Sequence, residues 1–337
     1  MKVHIHYKTT ATPSGGGNQF LRILDNVFSE NGVRAKNLND SDVVLFNSHQ
    51  FMNRVAAAKR KYPEKLFVHR IDGPMKIYNS ISDKRDDIVG LAASLISDGT
   101  IFQSEWSREE NYRLGLHQNM FDTVINNSVD PDIFNCMGRK KFFGLEKIRL
   151  VAVSWSSNPN KGFDVYEWLD KNLDFSRYEM SFIGNSPVNF KNINHIEPMD
   201  SKNLAKTLKQ YDILIFASKY EACSNTLLEA LHCGLPSVVY NFSSNPEVVG
   251  DSGELFGKKE DIPECLDRII ENYKDYQGNI SLPSIQDVAN QYLGFMKMIY
   301  NKAEREEYTL KSISLFGLTK IICRLGLYKC YEKIRTC

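Results

Sequence analysis

The chain has 337 residues, an ordinary globular share of apolar ones, and 42 lysines and arginines against 41 aspartates and glutamates. That length exceeds one typical hydrophobic core and suits two domains. The near cancellation of charge offers nucleic acid no chain-wide attraction. The seven cysteines, Cys136, Cys223, Cys233, Cys265, Cys323, Cys330 and Cys337, are odd in number and lack the short paired spacings of a zinc or redox site, so a reducing, cytosolic setting is expected. The opening "MKVHIHYKTT" is too short an apolar run for a signal peptide, and no stretch of about 18 apolar residues follows, which predicts a soluble body.

In chain order, "KVHIHY" alternates like a strand. A glycine turn, Gly15, Gly16 and Gly17, leads into a helix with Phe20, Leu21, Leu24, Val27 and Phe28 at helical spacing before Gly32. His4 and His6 alternate in the first strand and read as structural. Strands are predicted at "DVVLFNS", "LFVHRID", "GTIFQS" and "DTVIN", with helices at "DIVGLAASLI" and "SEWSREENYRLGL". The aperiodic segment "NNSVDPDIFNCMGRKKFFGLEK" interrupts this rhythm, which then restarts with strand "IRLVAVSW", helix "FDVYEWLDKNL", strand "YEMSFIG", helix "SKNLAKTLKQY" and strand "DILIFAS". An apolar helix, strand "SVVY" and helices near "PECLDRIIENY" and "SIQDVANQYLGFMKMIY" complete it. The expectation is an α/β protein of two doubly wound Rossmann-like domains facing a cleft: 1–130, a linker 131–147, 148–308 with a last helix that crosses back to the first domain, and a basic tail 309–337. Ligands in such sheets sit at the carboxyl ends of the strands.

One such end carries two carboxylates, Glu221 and Glu229, seven residues apart in "SKYEACSNTLLEALHCGLP". The run "SKYEACSNTLLEALHCGLPSVVYNFSSNPEVVGDSGELF" resembles the nucleotide-sugar half of GT-B glycosyltransferases, in particular glycosyltransferase family four, with its E-x7-E motif, then "LEALHCGLP" and "NPEVVGDSG". In the same order, "SGGGNQF" is similar to that family's first glycine loop, "VINNSVDPDIF" to its inter-domain segment, "NPNKGFDVY" to its KG loop and "FIGNSP" to the strand end that follows.

The resemblance implies a retaining, metal-independent glycosyltransferase that moves a sugar from a UDP-, GDP- or dTDP-sugar to a hydroxyl of an acceptor glycan or glycolipid, in surface polysaccharide or glycan assembly, with no bound cofactor. Such a reaction needs fixed positive potential at the leaving diphosphate. By position, Lys161 supplies it together with the helix-opening N–H groups at Ser224, Asn225 and Thr226. Glu229 accepts from ribose hydroxyls, Glu221 holds hydroxyls of the donor sugar, and Gly16 and Gly17 approach donor phosphate or acceptor. No carboxylate is placed as a covalent nucleophile, which favours a front-face route. His69 or Asp72, in "FVHRIDGP", faces the transferred sugar, and the resemblance does not choose between them.

Plainer readings stand beside these. Thr226 and Glu229 spell a capping box, T-x-x-E, Lys161 reads alone as a solvated lysine, and His69 as a core histidine bonded to backbone. Asp130 and Asp132 form a D-x-D pair, with no metal expected there. The family's arginine five residues before the loop lysine is here Ser156, so a second phosphate cation comes from elsewhere, for example Arg70. Its "EGFG" is here "EACS", where Ala222 and Ser224 either narrow the sugar pocket or cap the helix. Two other functions use the same scaffold: a GT-B epimerase or phosphorylase, and a non-catalytic sugar-nucleotide-binding subunit.

The tail concentrates charge, with Lys311, Lys320, Arg324, Lys329, Lys333 and Arg335 against Glu332, a net +5 that leaves the rest of the chain at −4. Leu318, Ile321, Ile322 and Leu325 share one predicted helical face, with Lys320 and Arg324 turned away and Gly326 interrupting. Two readings follow. The tail lies in an anionic membrane surface, making a cytoplasmic protein peripheral on the membrane's cytoplasmic face, or its apolar face packs on the first domain.

Overall fold

The computed structural model describes residues 1–7, 16–144 and 146–336. Its contacts divide the chain into two compact units. One comprises Met1–Thr10, Leu21–Asn126 and Gln286–Cys337, the other Ala11–Phe20 and Asn127–Ile285. The first stretch therefore closes at Asn126 rather than at 130. The last long helix joins the first unit, the crossing back expected of it, and the tail joins it too rather than forming an appendage.

The first unit has a five-stranded parallel sheet, β1 (Val3–Ile5), β2 (Val43–Asn47), β3 (Leu66–Ile71), β4 (Gly99–Phe102) and β5 (Asp122–Val124), in sequence order. Its first five helices are α1 (Gly16–Glu30), whose residues up to Phe20 belong to the other unit, α2 (Met52–Lys61), α3 (Met75–Tyr78), α4 (Arg85–Leu95) and α5 (Glu105–Arg113). Every residue of β2, β3 and β4 is buried, as expected of parallel strands covered on both faces. On one face Val44, Phe46 and Phe67 pack with Val55 and Ala56 of α2 and Ile88 and Ala92 of α4. On the other lies α12 (Ile285–Glu304). There Gly99 is required by close approach, because an added Cβ would meet Ile299 Cδ1 at 2.5 Å.

The tail belongs to this packing. The helix α13 (Leu315–Thr336) runs unbroken through Gly326. Ile321 is fully buried, and Leu318 and Leu325 pack beside it against the α2–α4 face. Ahead of the helix, the Lys311 N–H donates to Asp98 at 2.7 Å and its ammonium to Asn119 at 2.6 Å. Asp98 is buried and paired with buried Lys59 at 3.0 Å. Removing one partner of such a pair strands a charge in the core. The apolar face that the sequence offered to a membrane is thus the packed one. Ile322 departs from it at 52% exposure, and Arg324 sits on the packed side, 3.3 Å from Asp87.

The second unit has a six-stranded parallel sheet in the order β11-β10-β9-β6-β7-β8. The strands are β6 (Ile148–Ser154), β7 (Tyr178–Gly184), β8 (Asn194–Ile196), β9 (Ile213–Phe216), β10 (Ser237–Tyr240) and β11 (Gly253–Phe256). Its helices are α6 (Phe163–Asn172), α7 (Ser201–Leu208), α8 (Asn225–His232), α9 (Asn245–Val249), α10 (Ile262–Glu271) and α11 (Tyr273–Gly278). Alternate residues of β6 divide between two cores: Leu150 and Ala152 pack with α6 and α10, whereas Val151 and Val153 face α7 and α8. Chain order reverses at β6, which pairs with β7 on one side and β9 on the other. The loops leaving β6 and β9 therefore flank a topological switch point, where open α/β sheets bind ligands.

Candidate active site

Two glycines let these loops close on each other. Gly162, at φ 81°, follows the 3-10 turn Pro159–Lys161, and a Cβ there would meet the Ala217 carbonyl oxygen at 2.3 Å. Gly184 ends β7 at φ 117°, and its Cβ would meet the Ser154 carbonyl oxygen at 2.0 Å. Only glycine fits both the dihedral and the space. The backbone of the first loop thus lies on the end of β9, and the Lys219 N–H donates to the Asn160 carbonyl at 2.8 Å.

That contact sets Lys161 beside Glu221. The ammonium lies 2.5 Å from Oε1, and the Ser218 hydroxyl donates to the same oxygen at 2.5 Å. Both side chains keep some exposure, 20% for Lys161 and 14% for Glu221. The lysine is therefore held by its neighbours rather than solvated at random, and part of its side chain stays accessible. Buried Asn245 fixes the loop from beneath, donating to the carbonyls of Ser218 and Tyr240 at 2.9 and 3.0 Å.

Three residues on, Ser224 caps α8 and its hydroxyl accepts the Leu227 N–H at 3.3 Å. Asn225 and Thr226 form the first helical positions. The cap lies at Ser224 and Glu229 inside the helix, so Thr226 and Glu229 do not make a capping box. The "EACS" serine therefore caps the start of the helix. Helix N–H groups at this end have no intrahelical acceptor, and their dipoles favour an anion.

Glu229 is buried, and Gln19 of α1 donates to its Oε1 at 3.3 Å. Burial raises its carboxyl from 4.5 to about 8, against the smaller lowering effect of the Gln19 hydrogen bond. A cavity of about 130 Å³ opens beside it, lined among others by Gln19, Ser154, Trp155, Ile183, Gly184, Met199, Asn225 and Thr226. Trp155 and Gln19 were not singled out by sequence. A lone tryptophan just past the end of β6 was a signal available for the first. The Gln19 contact spans 210 positions and had none. Gly16 and Gly17 form the first turn of α1, and Gly15 lies outside the described residues.

In the first unit, His69 on β3 has no exposed surface. It lies 2.8 Å from the Ser48 carbonyl, which takes the Nε2–H, and its ring stacks on Phe46 at 4.3 Å between centroids. Burial lowers its pKa to about 4, so it is neutral. Arg70, offered as a phosphate cation, is also fully buried, donating to Asn47 at 2.6 Å and to Asp72 at 3.1 Å. Its charge is committed within the unit. Asp72, 23% exposed, is the member of this group with accessible surface, and it also accepts from Gln103. Asp130 accepts the Asp132 N–H at 3.0 Å in a local turn. Among the described residues no cluster of three His, Cys, Asp or Glu could hold a metal ion, and no helix is long and apolar enough to cross a membrane.

Residues 189–280 match the family of glycosyl transferases group 1. Over 112 residues the chain is 29% identical to an uncharacterized 41.2 kDa protein in the cps region of Klebsiella pneumoniae, covering 32% of this chain and 31% of that one. Over 61 residues it is 38% identical to O-antigen chain mannosyltransferase B of Escherichia coli, covering 18% and 16%. The chain thus matches less than a third of either curated relative. Among solved structures, Anabaena Alr3699/HepE in complex with UDP and glucose superposes with a TM-score of 0.64 at 14% identity, covering 90% of this chain and all of that one. The chain therefore has the GT-B fold, and within it the second unit resembles the group 1 glycosyltransferases.

Proposed function

We propose that the protein is a retaining glycosyltransferase that takes a sugar from a nucleoside diphosphate sugar and passes it to a hydroxyl of an acceptor glycan or glycolipid in polysaccharide assembly. The observation that carries this reading is the convergence of Lys161, Glu221 and the Ser224-capped start of α8 on one switch point, with Glu229 lining the adjoining cavity. Lys161 and the α8 N–H groups stabilise the departing diphosphate, so no metal ion is needed. Glu229 accepts from the ribose and Glu221 from sugar hydroxyls. The bond from the anomeric carbon to the phosphate oxygen breaks, a bond to the acceptor oxygen forms on the same face, and the acceptor proton passes to the leaving phosphate. The UDP and glucose bound by the Anabaena protein and the O-antigen mannosyltransferase name of the Escherichia coli relative support the donor class and the pathway.

Thermal unfolding of the protein against UDP-, GDP- and dTDP-sugars tests the donor, since binding to the folded state alone raises apparent stability. One nucleotide series is expected to raise Tm, and with acceptor present mass spectrometry finds a glycosylated product whose formation survives EDTA. No shift with any nucleotide sinks the reading. Loss of turnover with EDTA, restored by manganese, returns attention to Asp130 and Asp132.

A further inference from the structure

The face of α13 turned away from its own unit is as ordered chemically as the face it buries. At about 100° per residue, the packed positions Gly317, Leu318, Ile321, Arg324, Leu325 and Tyr328 share one side. The opposite arc holds Leu315, Phe316, Ile322 and Leu327, exposed by 63, 70, 52 and 62%. Thr319, Cys323, Gly326 and Cys330 occupy the middle of this arc and carry no charge. Lys320 lies at one edge and Lys329 at the other, both exposed. Exposed Arg60 of α2 donates to the Ile313 carbonyl at 3.3 Å, which adds the basic end of α2, with Lys61, at the start of the helix.

We propose that this outer face, and not the packed one, docks on an anionic lipid surface, with Leu315, Phe316, Ile322 and Leu327 entering the interface and Lys320 and Lys329 meeting acidic headgroups. Charge complementarity selects this occupant. An apolar band bordered on both sides by lysines is the pattern of a helix lying in the membrane plane. A second copy of the chain would place these lysines against each other and lose on that account. The helix is already folded against α2 and α4, so docking carries no cost of ordering it.

The test uses the full chain without donor, which keeps it separate from the glycosyltransferase reading. Co-sedimentation is expected with vesicles of phosphatidylcholine and phosphatidylglycerol in equal parts, absent with phosphatidylcholine alone, and weakened by salt. Reversing both lysines, Lys320→Glu with Lys329→Glu, is expected to reduce partitioning at least roughly 20-fold, from about fivefold per basic residue near an anionic leaflet. Leu315→Ser with Phe316→Ser and Leu327→Ser, all exposed, is expected to keep the native circular dichroism and abolish binding. An environment-sensitive dye on exposed Cys323, with Cys136, Cys330 and Cys337 changed to Ser, is expected to shift to the blue on the acidic vesicles. The proposal is overturned if the full chain ignores acidic vesicles, if the lysine reversals leave partitioning unchanged, or if sedimentation velocity finds a dimer that the serine variant dissociates.

Discussion

Each sheet sets a cation beside a carboxylate at the carboxyl ends of its strands, and the two pairs behave differently. In the second unit Lys161 and Glu221 sit 2.5 Å apart on loops, at 20% and 14% exposure. In the first, Arg70 is buried completely and spends its guanidinium on Asn47 and Asp72. One pair keeps accessible surface on both members, whereas the other holds its own strand ends together. The difference lies in where the cation starts. Arg70 points from within β3 into a covered layer, whereas Lys161 stands on a turn that Gly162 presses against β9.

Breaking the buried pair should have the largest effect. Arg70→Ala takes the donor from Asn47 Oδ1 and the cation from Asp72, which keeps only neutral donors such as Gln103, and is expected to cost about 3 kcal/mol or more of stability, read as a lowered midpoint in urea. If the variant is as stable as the parent, the contrast between the pairs is wrong. Lys161→Ala should do the opposite, leaving Tm nearly unchanged while lowering kcat/KM by about 10²–10³, the loss typical of removing one stabiliser of developing negative charge. A matching fall in Tm would make that lysine structural too. Gly162→Ala attacks the device that presents the lysine. Its Cβ would meet the Ala217 carbonyl oxygen at 2.3 Å, and strain of about 2 kcal/mol is expected, with Lys161 displaced and activity lost alongside.

The smallest effect separates the two glutamates by pH. With its carboxyl near 8 rather than 4.5, folded Glu229 holds its proton where the unfolded chain has lost it. Its contribution therefore favours the native state below about pH 4.5 and is lost as pH rises towards 8. On the proposed reading, a ribose held by ionised Glu229 is expected to bind better over the same climb. Glu229→Gln should flatten both trends and weaken nucleotide binding by about 1.5 kcal/mol or more, the worth of a hydrogen bond to a charged group. Glu221→Gln should instead lower turnover more than nucleoside diphosphate affinity. Titration calorimetry at pH 6 and 8 distinguishes them, and parallel slopes for parent and Glu229→Gln would remove the assignment.

Local pattern reached far in this chain. Strand and helix periodicity placed β6, β7, β9, α6, α8 and α10, because each carries its own apolar rhythm and its own glycine or cap. It passed over β8 and β11, which are three and four residues long and largely unburied, and α2, whose alanines and basic residues make a faint stripe. The spacing of Glu221 and Glu229 and the "NPNKG" loop marked the candidate site, since a loop at a strand end carries its function in adjacent residues.

What adjacency cannot express was decided by tertiary structure. The burial of Arg70 and His69 depends on layers contributed by distant segments. The 210-residue reach from Gln19 to Glu229 depends on where α1 begins, and the raised carboxyl on the layers that bury it. The tail is the clearest case. Its sequence stated that α13 is amphipathic and basic, but a helix with apolar residues on two sides can bury either. Ile321 is buried and Leu315 exposed because the α2–α4 face, closed by Lys311 on Asp98, accepts the first side and leaves the second to water. Burial is a property of the partner surface as much as of the residue, and only the folded chain supplies that partner.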